Sequence, residues 1–185
     1  MENTTFDIKK SRIEVYYLRP EGHHCGWADI SIDEGDKSGR ISISSDYGNW
    51  AYYWGACGSS FKEFLCGLDI HYAAGKFGTG NHFDAEATLR ATRMDILRAR
   101  HQESIESEEA RELWDFVYEI EDCRSSESFA TLVYNSDLMK LYDCGPDIVT
   151  TIDPGFKRFW DTTWQSFVHQ LKKETELQTE AIESH

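Results

Sequence analysis

The chain has 185 residues, with 33 acidic and 19 basic side chains and a net charge of −14 at neutral pH. A surface of that sign repels phosphate backbones, so direct, unassisted nucleic-acid binding is disfavoured, while a basic partner is favoured, including a protein or ribonucleoprotein complex that handles nucleic acid. Six Trp, nine Tyr and ten Phe against three Pro exclude wholesale disorder and predict a packed core in a single domain spanning 1–185.

The first seventeen residues hold no basic region followed by an apolar run, so no secretory signal is expected. No apolar stretch reaches the roughly 18–20 residues that span a bilayer, so no membrane association is expected. The five cysteines, Cys25, Cys57, Cys66, Cys123 and Cys144, are odd in number and form no C-x-x-C pair. That pattern predicts reduced thiols in a cytosolic compartment.

The first third alternates with the period of strands. Ile13, Val15 and Tyr17 alternate with Glu14, Tyr16 and Leu18, and Ala28, Ile30 and Ile32 alternate with Asp29, Ser31 and Asp33. The polar, Gly-bearing stretch 34–39 reads as a hairpin loop, and Ile41 and Ile43 resume the pattern. Asp46-Tyr-Gly-Asn49 forms a turn, after which Trp50, Tyr52 and Trp54 share one strand face and Ala51 and Tyr53 the other. Connections this short predict an antiparallel meander of three to four strands over 1–58.

After Gly58 the period becomes helical. Ser60 with Glu63 reads as a capping box ahead of a helix near 59–68, and a second short helix follows near 69–75. The GKFGTG run at 75–80 lacks the Gly-Lys-Ser/Thr ending of a phosphate loop and reads as a connection. Asp84 is placed to cap a helix over 85–102, with Glu86 and Arg90 at the favourable i, i+4 spacing. A helix over 108–121 carries the apolar stripe Leu113, Phe116, Val117 and Ile120. Residues 127–134 and 136–143 read as short helices or strands. Cys144-Gly-Pro-Asp147 is a turn, and Pro154 opens a last helix over 155–178 whose apolar face includes Phe156, Phe159, Trp160, Trp164 and Phe167. The whole predicts an α+β fold, the N-terminal meander packed against four to five helices over 59–185.

Few residues announce chemistry. His23, His24 and Cys25 cluster between the first two strands, but no second ligand pair stands at metal spacing, so no metal or cofactor is expected. No G-x-S-x-G elbow or other catalytic motif occurs. An enzyme would need a dispersed site drawing on residues such as Asp46, His71 or Cys57. The feature most open to a functional reading lies between Gln102 and Ser128, where ten acids stand against two arginines. Glu103, Glu106, Glu108, Glu109, Glu112, Asp115 and Glu119, with Glu121 and Asp122, are read either as a solvated helix face or as a carboxylate row that imitates phosphates and docks into a basic groove. Tyr53 on the far face of its strand is a candidate aromatic contact. Arg90, Arg93, Arg98 and Arg100 make the preceding helix locally basic and leave a third reading, nucleic-acid binding along that helix.

The run Asp46-Tyr-Gly-Asn-Trp50-Ala-Tyr-Tyr-Trp54, with Ser60-Phe-Lys-Glu-Phe-Leu65 and Tyr72-Ala-Ala-Gly-Lys-Phe77, resembles a family of small proteins of phages, prophages and plasmids. The likeness covers roughly residues 41–78. It brings no established activity and no catalytic residues, but it implies a mobile-element setting in a host cytoplasm. In that setting small acidic proteins without enzyme motifs often block host defences, as anti-CRISPR proteins do. The resulting expectation is a non-enzymatic binding protein that inhibits a host nucleic-acid-handling complex by protein–protein contact.

Overall fold

The computed structural model describes residues 7, 10, 12–22 and 25–183; His23 and His24 of the expected histidine cluster lie outside the described residues. The chain divides into two compact units, one formed by Met1–Gly80 with Ile152–His185 and the other by Asn81–Thr151. The helical portion over 59–185 is thus shared between two hydrophobic cores.

The first unit is built on a four-stranded antiparallel meander in the order β1 (Glu14–Leu18), β2 (Ala28–Glu34), β3 (Gly39–Ser45) and β4 (Gly48–Trp54). The expected four-residue turn contracts to Asp46-Tyr47, because Gly48 already pairs with Ser45. Register sorts the side chains into rows. Tyr16, Ile30, Ile43 and Trp50 stand opposite one another across the four strands, as do Glu14, Ile32, Ile41 and Tyr52. Because Tyr16 shares the row of Ile30, the inward face of β1 is Tyr16 and Leu18. Its more uniformly apolar set points to solvent: Val15 is 44% and Tyr17 70% exposed.

Helices α1 (Phe61–Cys66) and α2 (Ile70–Phe77) follow the sheet. The Ser60 hydroxyl accepts from the Glu63 amide at 3.3 Å, so the predicted cap forms. Trp54 is ringed by Phe61, Phe64 and Phe77 at centroid distances of 5.4–6.1 Å, and its indole N–H donates to the Tyr72 hydroxyl at 3.0 Å. Gly39 permits this packing, since a β-carbon there would stand 2.3 Å from the Phe61 ring. The last helix completes the layer. It starts at Pro154, with the Asp153 carboxylate accepting from the Phe156 amide at 2.9 Å. It runs as α6 (Pro154–Phe159), one π turn (Trp160–Trp164) and α7 (Gln165–Glu183). Phe156, Phe159, Trp160, Trp164, Phe167, Val168 and Leu171 are all buried in the sheet unit's core.

The second unit opens and closes on one short antiparallel pair, β5 (His82–Phe83) with β6 (Thr150–Thr151). Between them run α3 (Ala85–His101), α4 (Ser107–Glu119), α5 (Ser126–Tyr134) and a 3-10 turn at Asp137–Leu141. The Asp84 carboxylate caps α3 by accepting from the Ala87 amide at 2.9 Å. The two segments left open between helix and strand are therefore helical. Ser125 caps the first by accepting from the Ser128 amide, and Phe129, Val133 and Leu138 are fully buried. Leu89, Ile96, Ile105, Leu113, Val117 and Ile120 supply the rest of this core.

Candidate functional site

The acidic stretch is a helix with its charges sorted by periodicity. Glu108, Glu112, Asp115 and Glu119 occupy positions i, i+4, i+7 and i+11 of α4, which places them on one face. All four are exposed, while Leu113 and Val117 on the opposite side are buried. The row is about 16 Å long at 1.5 Å per residue. Four charges over that distance make one per about 5.5 Å, sparser than the one phosphate per about 3.4 Å of a nucleic-acid strand but of the same sign and linear order.

The other predicted acids do not join the row. Glu109 is half-buried and turns to Lys140 at 3.3 Å. Glu106 is the N-cap residue of α4, with no side-chain cap hydrogen bond. Glu103 lies in the α3–α4 connection with φ 57°, a left-handed conformation that suits glycine better than glutamate. Acids in the first turn also favour the helix dipole, so Glu108 and Glu109 serve local structure as well. Arg111 pairs with Glu108 at 3.5 Å on the exposed surface and removes little of the row's charge. Tyr53 stands on the outward face of β4, 54% exposed, in the other unit.

The residues offered for a dispersed catalytic site are engaged separately. The Asp46 carboxylate accepts from the amides of Gly26 and Trp27, tying the β1–β2 connection to the β3–β4 turn. His71 is exposed in the first turn of α2. Burial, with Glu34 nearby, pushes the Cys57 thiol above its ordinary pKa, the wrong direction for a nucleophile. No hydrogen bond joins any two of these three among the described residues. A groove of about 720 Å³ in the sheet unit is lined by Val15–Pro20, Cys25, Gly26, Tyr47 and the Thr162–Gln170 flank of the last helix. It holds no carboxylate and no histidine among the described residues. Its aliphatic hydroxyls are occupied, Thr162 donating to the Arg158 carbonyl, Thr163 to the Gly26 carbonyl and Ser166 to the Thr162 carbonyl. Nor do three or more His, Cys, Asp or Glu gather as a metal site among the described residues.

One polar cluster escaped the sequence reading. Lys62 is the one charged side chain buried among the described residues. Its ammonium lies 2.7 Å from Glu14 and 3.0 Å from Glu174, and the Tyr16 hydroxyl donates to both carboxylates at 2.8 Å. Burial opposes the Lys62 charge, but the hydrogen bonds with Glu14, Tyr16 and Glu174 together outweigh it and raise its pKa. The hydrogen bond from Lys62, then that from Tyr16, lowers the Glu14 pKa. Burial works against ionised Glu174 too, yet bonds from Gln170, Lys62 and Tyr16 bring its pKa down. The cluster fastens β1 and α1 to α7. Its members stand 48 and 112 residues apart, and no sequence motif links them.

The arginines of α3 are mostly engaged. Arg90 pairs with Glu86 at 2.8 Å and Arg98 with Asp95, while the Arg93 guanidinium lies 4.8 Å from the Tyr118 ring centre. Among the described residues no carboxylate pairs with Arg93 or Arg100.

A family model described as a phage family matches residues 6–174. The chain belongs to this phage protein family. The match takes in the meander, the whole second unit and most of the last helix, so membership is not confined to the 41–78 run. No curated protein and no solved structure matches the chain. No helix among the described residues of this phage-family protein is long and apolar enough to cross a membrane.

Proposed function

We propose that the protein is a phage-encoded binding protein that inhibits a host nucleic-acid-handling defence complex, in the manner of an anti-CRISPR protein, by laying the carboxylate row of α4 into a basic groove. The observation that carries this reading is the exposed alignment of Glu108, Glu112, Asp115 and Glu119 over about 16 Å. A rigid helix presents such a row without the backbone ordering cost that a mobile acidic loop would incur on binding. Membership in a phage family supports the setting. The net charge of −14 supports a basic partner, through faster encounter and repulsion of acidic competitors.

The test is an affinity capture from host lysate at low and moderate salt, with wild type beside a variant carrying Glu108→Lys, Glu112→Lys, Asp115→Lys and Glu119→Lys. The expected result is a basic nucleic-acid-handling complex held by wild type, weakened by salt and lost with the variant. The purified complex should then lose nuclease or nucleic-acid binding activity on adding wild type. Equal capture by the folded variant rules out docking through the row. Capture without loss of the complex's activity rules out inhibition.

A further inference from the structure

The face of the α3–α4 hairpin away from its core carries a second surface of opposite character. Met94 and Leu97 of α3 and Tyr118 of α4 are 53%, 50% and 53% exposed. Met94 and Leu97 are i, i+3 neighbours, and Arg90 and His101 extend the same stripe at i−4 and i+4 respectively. Arg93 bridges the two helices with its guanidinium 4.8 Å from the Tyr118 ring. The sequence calls for none of these three apolar groups to be outside. Leu97 and Met94 satisfy an apolar periodicity, but Thr88, Leu89, Thr92 and Ile96 hold the core side of α3.

An apolar centre of Met, Leu and Tyr rimmed by arginine has the composition of an interface core rather than of an ordinary helix surface. The charge of that rim selects the partner. Arg93 and Arg100 form no ion pair with a carboxylate among the described residues, on a protein whose net charge is −14. A bare phosphate backbone would find nothing to place over Met94 and Leu97. A peptide segment with apolar side chains at its centre and carboxylates at its flanks matches both features.

We propose that the Met94–Leu97–Tyr118 face is a docking site for an acidic segment of a partner protein carrying apolar anchors, distinct from the carboxylate row of α4. The surface gives the protein a second contact, on which an acidic segment is held by Arg93 and Arg100.

The experiment is a selection of random fifteen-residue peptides displayed on a bead or particle library against the full-length chain. It is counter-selected with the variant Met94→Ser/Leu97→Ser, whose substitutions fall on exposed positions. The enriched consensus peptide is then synthesised with a fluorescent label and titrated by anisotropy, beside a scrambled peptide of the same composition and a labelled DNA duplex. Expected is a consensus with apolar residues at i and i+3 or i+4 and Asp or Glu around them. It should bind wild type at least about tenfold more tightly than the serine variant, than Arg93→Ala, and than the scrambled peptide binds wild type. Three results overturn the proposal: no enrichment, a consensus that is basic, or a consensus that binds wild type and the serine variant alike. A duplex that binds more tightly than the peptide, and loses affinity in Arg93→Ala, assigns the face to nucleic acid instead. Circular dichroism of each variant identifies any loss that comes from unfolding.

Discussion

Lys62 illustrates how one buried charge organises its neighbours. Its ammonium is shared by Glu14 and Glu174, and Tyr16 donates to the same carboxylates. Glu174→Gln leaves the ammonium with a partner that is half exposed. We expect a loss of about 1–2 kcal/mol of stability at neutral pH, read by urea unfolding. The sign with pH follows from the lowered Glu14 and Glu174 pKa values. A carboxylate lowered in the folded state contributes stability above its unfolded pKa and loses it as pH falls through the folded one. The difference between wild type and Glu174→Gln should therefore be full at pH 7 and shrink as pH falls below the ordinary glutamate range. A pH-independent difference would show that Glu174 acts by packing alone. Gly39 makes a second prediction at this scale. A β-carbon there meets the Phe61 ring, so Gly39→Ala should cost about 1–3 kcal/mol and lower the melting temperature.

Strand β1 and helix α4 show how an element's neighbours give meaning to its pattern. In β1 both alternating sets are largely apolar, and pairing with β2 decides between them by setting Tyr16 opposite Ile30. Tyr16→Ser should cost about 2–4 kcal/mol, whereas Tyr17→Ser, at a position 70% exposed, should stay within about 0.5 kcal/mol. Equal costs in thermal unfolding would mean that the strand pairs in the other register. In α4 the reversal of Glu108, Glu112, Asp115 and Glu119 to Lys should leave the far-ultraviolet circular dichroism near that of wild type, because the helix is held by Leu113 and Val117 in the core. A collapse of helicity would show that those acids are needed for folding, through the dipole, before they are needed for binding.

At the scale of the whole molecule, the second unit is inserted into the first. It begins and ends on paired strands, with His82 opposite Thr151, so its two ends lie together. It also has a core of its own. A fragment of residues 81–151 should therefore fold alone and melt cooperatively by circular dichroism. A non-cooperative, largely unfolded fragment would mean that its core is completed elsewhere. If the fragment folds, it carries both the α4 row and the Met94–Leu97–Tyr118 face, and the two binding experiments can be repeated on it.

Much of this arrangement was legible from local chemistry. The alternation at Ile30–Ile32 and Ile41–Ile43, the caps at Ser60 and Asp84, the helix start at Pro154, and the helical spacing of Phe156 through Leu171 each depend on residues a few positions apart. Backbone periodicity and orphan helix amides are satisfied locally, so sequence alone places a meander of three to four strands, the helices near 59–75, 85–102, 108–121 and 155–178, and the acidic face, while 127–143 stays open between helix and strand. What needed the tertiary structure depends on contacts between distant residues. The Lys62 cluster joins residues 14, 62 and 174, the face of β1 follows from its register with β2, and the separation into two cores follows from the β5–β6 pair. The exposure of Met94 and Leu97 was equally hidden, since an apolar stripe on a helix reads as core until the neighbours that cover the other side are known. Local spacing determines which side chains share a face; only packing decides which face is covered.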